Sequence, residues 1–228
     1  LLKRNVLDAQ ANNKKISVLV CPSDTTIQLA TDMSYQANGG CVNNPNIPNL
    51  DYPANGVSDD LSTEYLPSVR ASSAGCKDGT NQTLFYIENC NAQRWNEDIA
   101  SGGTFEYYQC VVWIPCNAAE TDIAFSDPPA PWGQFPINGG GLDNLNSYAY
   151  ARPSSQHTNG FQAVFVSGAT RFFREDIHYS VYARLMTSNG NRVNNPFVPE
   201  SGSPSAGNAS DDDVKLWQSR LLTPQEYD

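Results

Sequence analysis

Two histidines, His157 and His178, and six cysteines, Cys21, Cys41, Cys76, Cys90, Cys110 and Cys116, are the residues of this chain best suited to chemistry. An imidazole serves as a base or a metal ligand, and a thiolate as a nucleophile or a metal ligand. The local patterns that would assign such roles are missing. His157 follows Ser154 and Ser155, but no Gly-x-Ser-x-Gly surrounds them, so no nucleophile elbow is formed. Its ring is expected to hydrogen-bond backbone groups and pin a loop. His178 falls in the first turn of an expected helix and is assigned to the surface or an interface. No Cys-x-x-Cys and no His-Glu-x-x-His occurs, which removes the common zinc patterns. Gly139-Gly140-Gly141 is not followed by Lys-Ser or Lys-Thr, so it is a turn and not a phosphate loop. A carboxylate pair for glycoside chemistry is a spatial arrangement, and nothing local marks one. No catalytic or cofactor-binding residue is assigned, no metal ligand is named, and the chain is expected not to be an enzyme.

The six cysteines are an even set in a loop-rich chain, which favours disulfides in an oxidising compartment, with buried thiols as the alternative. A straight strand from Cys110 to Cys116 would hold that pair roughly 20 Å apart, beyond disulfide reach; a bend at Pro115 would restore it. Cys21–Cys41 and Cys76–Cys90 are the favoured local staples.

The elements that must position these residues follow from composition and periodicity. The 228 residues suffice for one good core or two small ones. Fourteen Lys and Arg face 24 Asp and Glu, a net charge of −10, which argues against nucleic acid and anionic lipid as partners. No run reaches the roughly 18 apolar residues that would span a bilayer. Ile16–Val20 and Thr83–Glu88 alternate as strands, and Thr104–Ile114 is the longest strand candidate, apolar on both faces. Residues 31–81 are punctuated by Asn38-Gly39-Gly40, Asn43-Asn44-Pro45 and Asn55-Gly56, and are expected to be mostly loop. Residues 126–141 are Pro- and Gly-rich loop. Phe161–Val166 and Ala169–Arg174 form a hairpin around a two-residue turn, Ser167-Gly168. That register sets Ala163 opposite Phe172 and gives Phe161, Ala163, Phe165 and Phe172 a common core face. Asp176 can cap a helix that carries Ile177, Val181 and Leu185 on one side and stops at Asn189-Gly190. The whole is an α+β domain over residues 1–198, then a linker, 199–213, and a tail, 214–228, that docks on its own domain or a neighbour.

The segment from Ser155 to Asn189 resembles the C-terminal signature of a prepilin-like family best known from planctomycetes: a His, nine residues, Asp-Gly, a strand and a short helix. Here the pattern is His157, nine residues, then Ser167-Gly168, with Gly160 closing the stretch that resembles the family's His-Pro-Gly-Gly. Val20-Cys21-Pro22-Ser23-Asp24, Ser34–Gly40 and Thr83–Asn89 resemble further family segments, in order and spacing, over residues 16–195. Ser167 departs from the family's Asp, and Ser tolerates positive φ less well, so a type II′ or bulged turn is expected. The resemblance implies a pilin-like antiparallel sheet with long disulfide-stapled loops. The N-terminal helix of type IV pilins and pseudopilins is absent from this chain, and membrane contact would need it. Some pseudopilins bind calcium through loop carboxylates; Asp122, Asp127, Asp143 and Asp211 to Asp213 lie in loops without EF-hand spacing. Solvated charges are the plainer reading, and no cofactor is expected.

The function so implied is that of a structural subunit of an extracellular or cell-surface filament, appendage or secretion pseudopilus. Its partners would be copies of itself or other pilin-like subunits. The alternative is an extracellular carbohydrate-binding module that uses Tyr107, Tyr108, Trp113, Trp132 and Trp217 as a platform.

Overall fold

The computed structural model describes residues 15–30, 32–41, 53–58, 75–92, 94–95, 110–113, 137–138 and 151–193. Among these residues the strands are β1 (Tyr35–Cys41), β2 (Leu84–Glu88), β3 (Cys110–Trp113), β4 (Gly160–Phe165) and β5 (Thr170–Arg174), followed by the α-helix α1 (Tyr179–Met186). They make a five-stranded sheet in the order β3-β1-β2-β4-β5. All pairs are antiparallel except β1 with β3, which is parallel. The sheet is therefore mixed, not purely antiparallel as the sequence implied, and the chain is α+β.

Strand β1 is the chief departure from expectation. It lies inside the region expected to be loop, yet sits between β2 and β3. Its inward positions are polar and buried, Gln36 at 1 % and Asn38 at 0 % exposure, so hydrophobic alternation could not reveal it. Hydrogen bonds take the place of apolar contact: the Asn38 amide donates to Leu84 O at 2.8 Å and Met186 O at 2.7 Å, and its oxygen accepts from Gly40 N at 2.9 Å. Gly40 has φ +77, and a Cβ there would come within 2.8 Å of Asn55 O. The Asn-Gly-Gly that looks like a turn is thus a bent strand passing close to another backbone.

Ile16–Val20, expected as a strand, is instead a turn of 3-10 helix over Ser17–Leu19. Leu84–Glu88 and Cys110–Trp113 are strands as expected. Val111, Val112 and Trp113 are all buried, so β3 is covered on both faces. Residues 104–109 and 114 lie outside the described residues, as do the 199–213 linker and the 214–228 tail.

The hairpin forms with its register shifted by one. Gln162 pairs with Phe172, Ala163 with Arg171 and Phe161 with Phe173. Phe173, 1 % exposed, is therefore the core residue, and Phe172, 41 % exposed, lies on the opposite face. The loop has three residues, 166–168, closed by Phe165 N donating to Ala169 O at 2.8 Å and Gly168 N donating to Phe165 O at 2.9 Å. Only Gly168 has positive φ, +86. A three-residue loop with one left-handed glycine spares Ser167 the positive φ that a type I′ turn would impose.

Helix α1 packs on the core face. Val181, Tyr182, Ala183, Leu185 and Met186 are buried with Phe161, Phe165, Phe173, Ile87 and Trp113. Ile177, Val181 and Leu185 face inward as expected. Asp176 does not cap the helix; its carboxylate takes the Arg174 guanidinium at 2.7 and 2.9 Å, and the helix starts at Tyr179.

Candidate functional site

The sheet face opposite α1 carries the cluster that matters chemically. Glu88, at the end of β2, pairs across the sheet with Tyr35 of β1. Cys21 and His157 arrive from the two loops that cross this end. Cys21 is placed by its N–H, which donates to Ser34 Oγ at 3.0 Å, while Ser34 Oγ donates to Asp24 Oδ2 at 2.7 Å. Asp24 N returns to Cys21 O at 3.0 Å, closing a turn around Pro22 and Ser23. The His157 N–H donates to Ser155 Oγ at 3.0 Å, and that hydroxyl donates to Gly160 O at 2.6 Å. Asn159 takes φ +64 at the loop's tip. A Cβ on Gly160 would stand 2.6 Å from the Phe172 ring and 2.0 Å from Phe173 O, so only glycine allows the loop to enter β4 under that ring.

Three side-chain atoms converge. His157 Nε2 lies 3.5 Å from Cys21 Sγ and 3.2 Å from Glu88 Oε1, and the three atoms fall within 4.8 Å of one another. Glu88 is 1 % exposed. Its Oε2 accepts from Gln162 N at 2.6 Å, but Oε1 has no hydrogen-bond partner. The 3.2 Å approach of Nε2 is an ion-pair contact whenever the imidazole is protonated, and which atom donates in the Nε2–Sγ contact depends on the tautomer. The Phe172 ring stands edge-on to the imidazole, centroids 6.4 Å apart.

This is not a nucleophile–base–orienter triad. Such a triad places the nucleophile and the carboxylate on different ring nitrogens, whereas Cys21 and Glu88 both face Nε2. Burial, and then the Glu88 carboxyl beside it, pushes the Cys21 thiol up, away from the thiolate a nucleophile needs. Burial and the neighbouring Cys21 and Glu88 push the Tyr35 phenol up as well.

Cys90 borders the cluster. Burial first, then the Asp24 charge, pushes its thiol up to about 12 from an ordinary 9.0. A group raised on folding contributes stability that is fully present below 9.0 and lost as pH climbs through about 12. The wild type is therefore expected to lose stability over that alkaline window, and Cys90→Ala to lose less. Equal slopes in alkaline unfolding followed by circular dichroism would refute this.

Of the residues marked from sequence, His157 and Cys21 meet here. The imidazole's partners are side chains, where backbone groups were expected. Cys21 and Cys90 are free thiols, so neither Cys21–Cys41 nor Cys76–Cys90 is a disulfide. Ser167 and Gly168 shape the hairpin loop, away from the cluster. Trp113 belongs to the core, with Nε1 donating to Asn55 O at 2.8 Å. Cys116, Tyr107, Tyr108, Trp132, Trp217, Asp122, Asp127, Asp143 and Asp211 to Asp213 lie outside the described residues. Glu88 was missed, since its partners come from distant segments. The available signal was that Cys21, Tyr35, Glu88 and His157 each belong to one of the four segments that carry the family resemblance.

No helix among the described residues is long and apolar enough to cross a membrane. No curated protein and no solved structure matches the chain. One family model matches residues 3–179, and its description is "Protein of unknown function (DUF1559)", SBP_bac_10. That match covers most of the 228 residues and includes Cys21, Tyr35, Glu88 and His157: the chain belongs to the DUF1559 family, a planctomycete-type family.

Proposed function

We propose that this protein is a pilin-like structural subunit of an extracellular or cell-surface filament, appendage or secretion pseudopilus, and that it works by self-association. The observation that carries the reading is the edge of the sheet. Among the described strands β5 ends the order, is mostly exposed, and presents Phe172 at 41 % exposure. An edge strand offers unpaired N–H and C=O groups that a strand from another chain can complete, with side-chain contacts setting the register. The pilin-like fold belongs to the same proposal, with the stretch from His157 to Gly168 as its C-terminal signature. So does an extracytoplasmic setting.

Negative-stain electron microscopy of the protein taken natively from its source tests this. Regular filaments, tubes or sheets are the expected result. Isolated particles, strictly monomeric at high concentration, would overturn it.

A further inference from the structure

We propose that Cys21 Sγ, Glu88 Oε1 and His157 Nε2 form a binding site for a zinc-like divalent cation, with a fourth position open. The proposal goes beyond self-association and stands or falls separately from it.

The spacing is the first argument. Zinc bonds of about 2.3 Å to sulfur and 2.0–2.2 Å to nitrogen and oxygen, at tetrahedral angles, put S and N about 3.6 Å apart and N and O about 3.4 Å apart. The observed separations are 3.5 Å and 3.2 Å. Those two edges would widen by about 0.1–0.2 Å around an ion, and the third, Sγ to Oε1, lies within 4.8 Å where a tetrahedral site wants about 3.6 Å.

The second argument is independent of spacing. A carboxyl oxygen buried with no hydrogen-bond partner is costly, and Oε1 of Glu88, in a residue 1 % exposed, is such an atom, its neighbours being the imidazole at 3.2 Å and the thiol within 4.8 Å. A cation supplies what it lacks. Together a thiolate, a carboxylate and a neutral imidazole carry two negative charges, which a divalent ion balances.

The third argument is the outer shell. Ligand atoms must be held by groups behind them. Glu88 Oε2 is fixed by Gln162 N, the Cys21 backbone by Ser34 Oγ, and the His157 backbone by Ser155 Oγ. These anchors come from β4 and from the loops before β1 and β4, so the site is part of the fold.

Ligand chemistry selects the ion. Sulfur and nitrogen donors suit zinc and its neighbours and disfavour calcium and magnesium, which need several oxygens. The His157 side chain is 30 % exposed, which gives the ion a way in.

The test uses the full chain, stripped with chelator under a phosphine reductant, then titrated with Zn²⁺, Co²⁺, Ca²⁺ and Mg²⁺. One Zn²⁺ per chain is expected, with a raised Tm. Co²⁺ is expected to give a thiolate-to-cobalt charge-transfer band, and Ca²⁺ and Mg²⁺ no change. Cys21→Ser should abolish that band. Glu88→Gln should weaken zinc by more than about 100-fold, beyond the 10–100-fold typical of outer-shell partners. In the stripped protein, Glu88→Gln should hold or raise Tm, because an amide replaces a buried carboxyl whose Oε1 has no hydrogen-bond partner; this separates ligand loss from unfolding. Absence of stoichiometric zinc, cobalt bound without the sulfur band, or wild-type zinc affinity in Glu88→Gln would each overturn the proposal.

Discussion

Phe173→Ala is expected to destabilise the fold by about 3–5 kcal/mol, while Phe172→Ala, one position away, costs less than about 1 kcal/mol. Phe173 is 1 % exposed and stacks on Phe161 with centroids 5.5 Å apart; Phe165 leans on its other side at 6.0 Å. Removing it leaves a cavity between sheet and helix. Phe172 lies on the outer face, over Gly160 and beside His157, and its truncation opens no core cavity. Urea unfolding of both variants measures the difference. The two-residue turn suggested by the sequence would reverse the ranking, so the experiment reads the register directly. With typical domain stabilities of about 5–15 kcal/mol, Phe173→Ala removes a large fraction of the total.

Asn38→Ala carries the second large effect, about 3 kcal/mol or more. The side chain is fully buried and holds three backbone groups, Leu84 O on β2, Met186 O at the end of α1, and Gly40 N in its own strand. Alanine leaves each without this partner inside the protein, at about 1–3 kcal/mol per buried group before water or relaxation recovers part. Asn38→Asp should be worse still, since a carboxylate can only accept and would face two carbonyl oxygens. Thermal unfolding of both variants is the measurement. A loss below about 1 kcal/mol for the alanine variant would show that these bonds do not join sheet to helix.

Legibility in the sequence followed the kind of force holding each element. Where apolar burial dominates, alternation sufficed: Leu84–Glu88, Phe161–Phe165 and the inward positions Ile177, Val181 and Leu185 were all recognisable. β1 is held by amide hydrogen bonds and by glycines that let backbones approach, so Gln36, Asn38 and Gly40 looked like loop. The hairpin was visible but its register was not, because the turn's length depends on which residue accepts positive φ, and Gly168 alone does so.

The cluster was half visible. His157 stood out by its rarity, but Cys21 is 136 residues away and Glu88 comes from a third segment. Burial and convergence are tertiary facts, and no local spacing encodes them. Cys21 invited a disulfide reading because cysteine parity speaks only to redox pairing, while a thiol beside an imidazole and a carboxyl has another use.

The parallel pairing of β1 with β3 also fixes an order of events. Both neighbours of β1 lie later in the chain, with Tyr35 opposite Glu88 and Ala37 opposite Cys110. The β4–β5 hairpin closes locally and fast, whereas β1 must wait for partners far along the sequence, at a higher loop-closure cost. Among the described strands β1 emerges first in synthesis, its partners β2 and β3 follow, and β2 in turn waits for β4. The cluster draws on both pairings of β2: Tyr35 meets Glu88 where β1 pairs with β2, and His157 stands just ahead of β4, so the four residues can come together only once β4 is at hand.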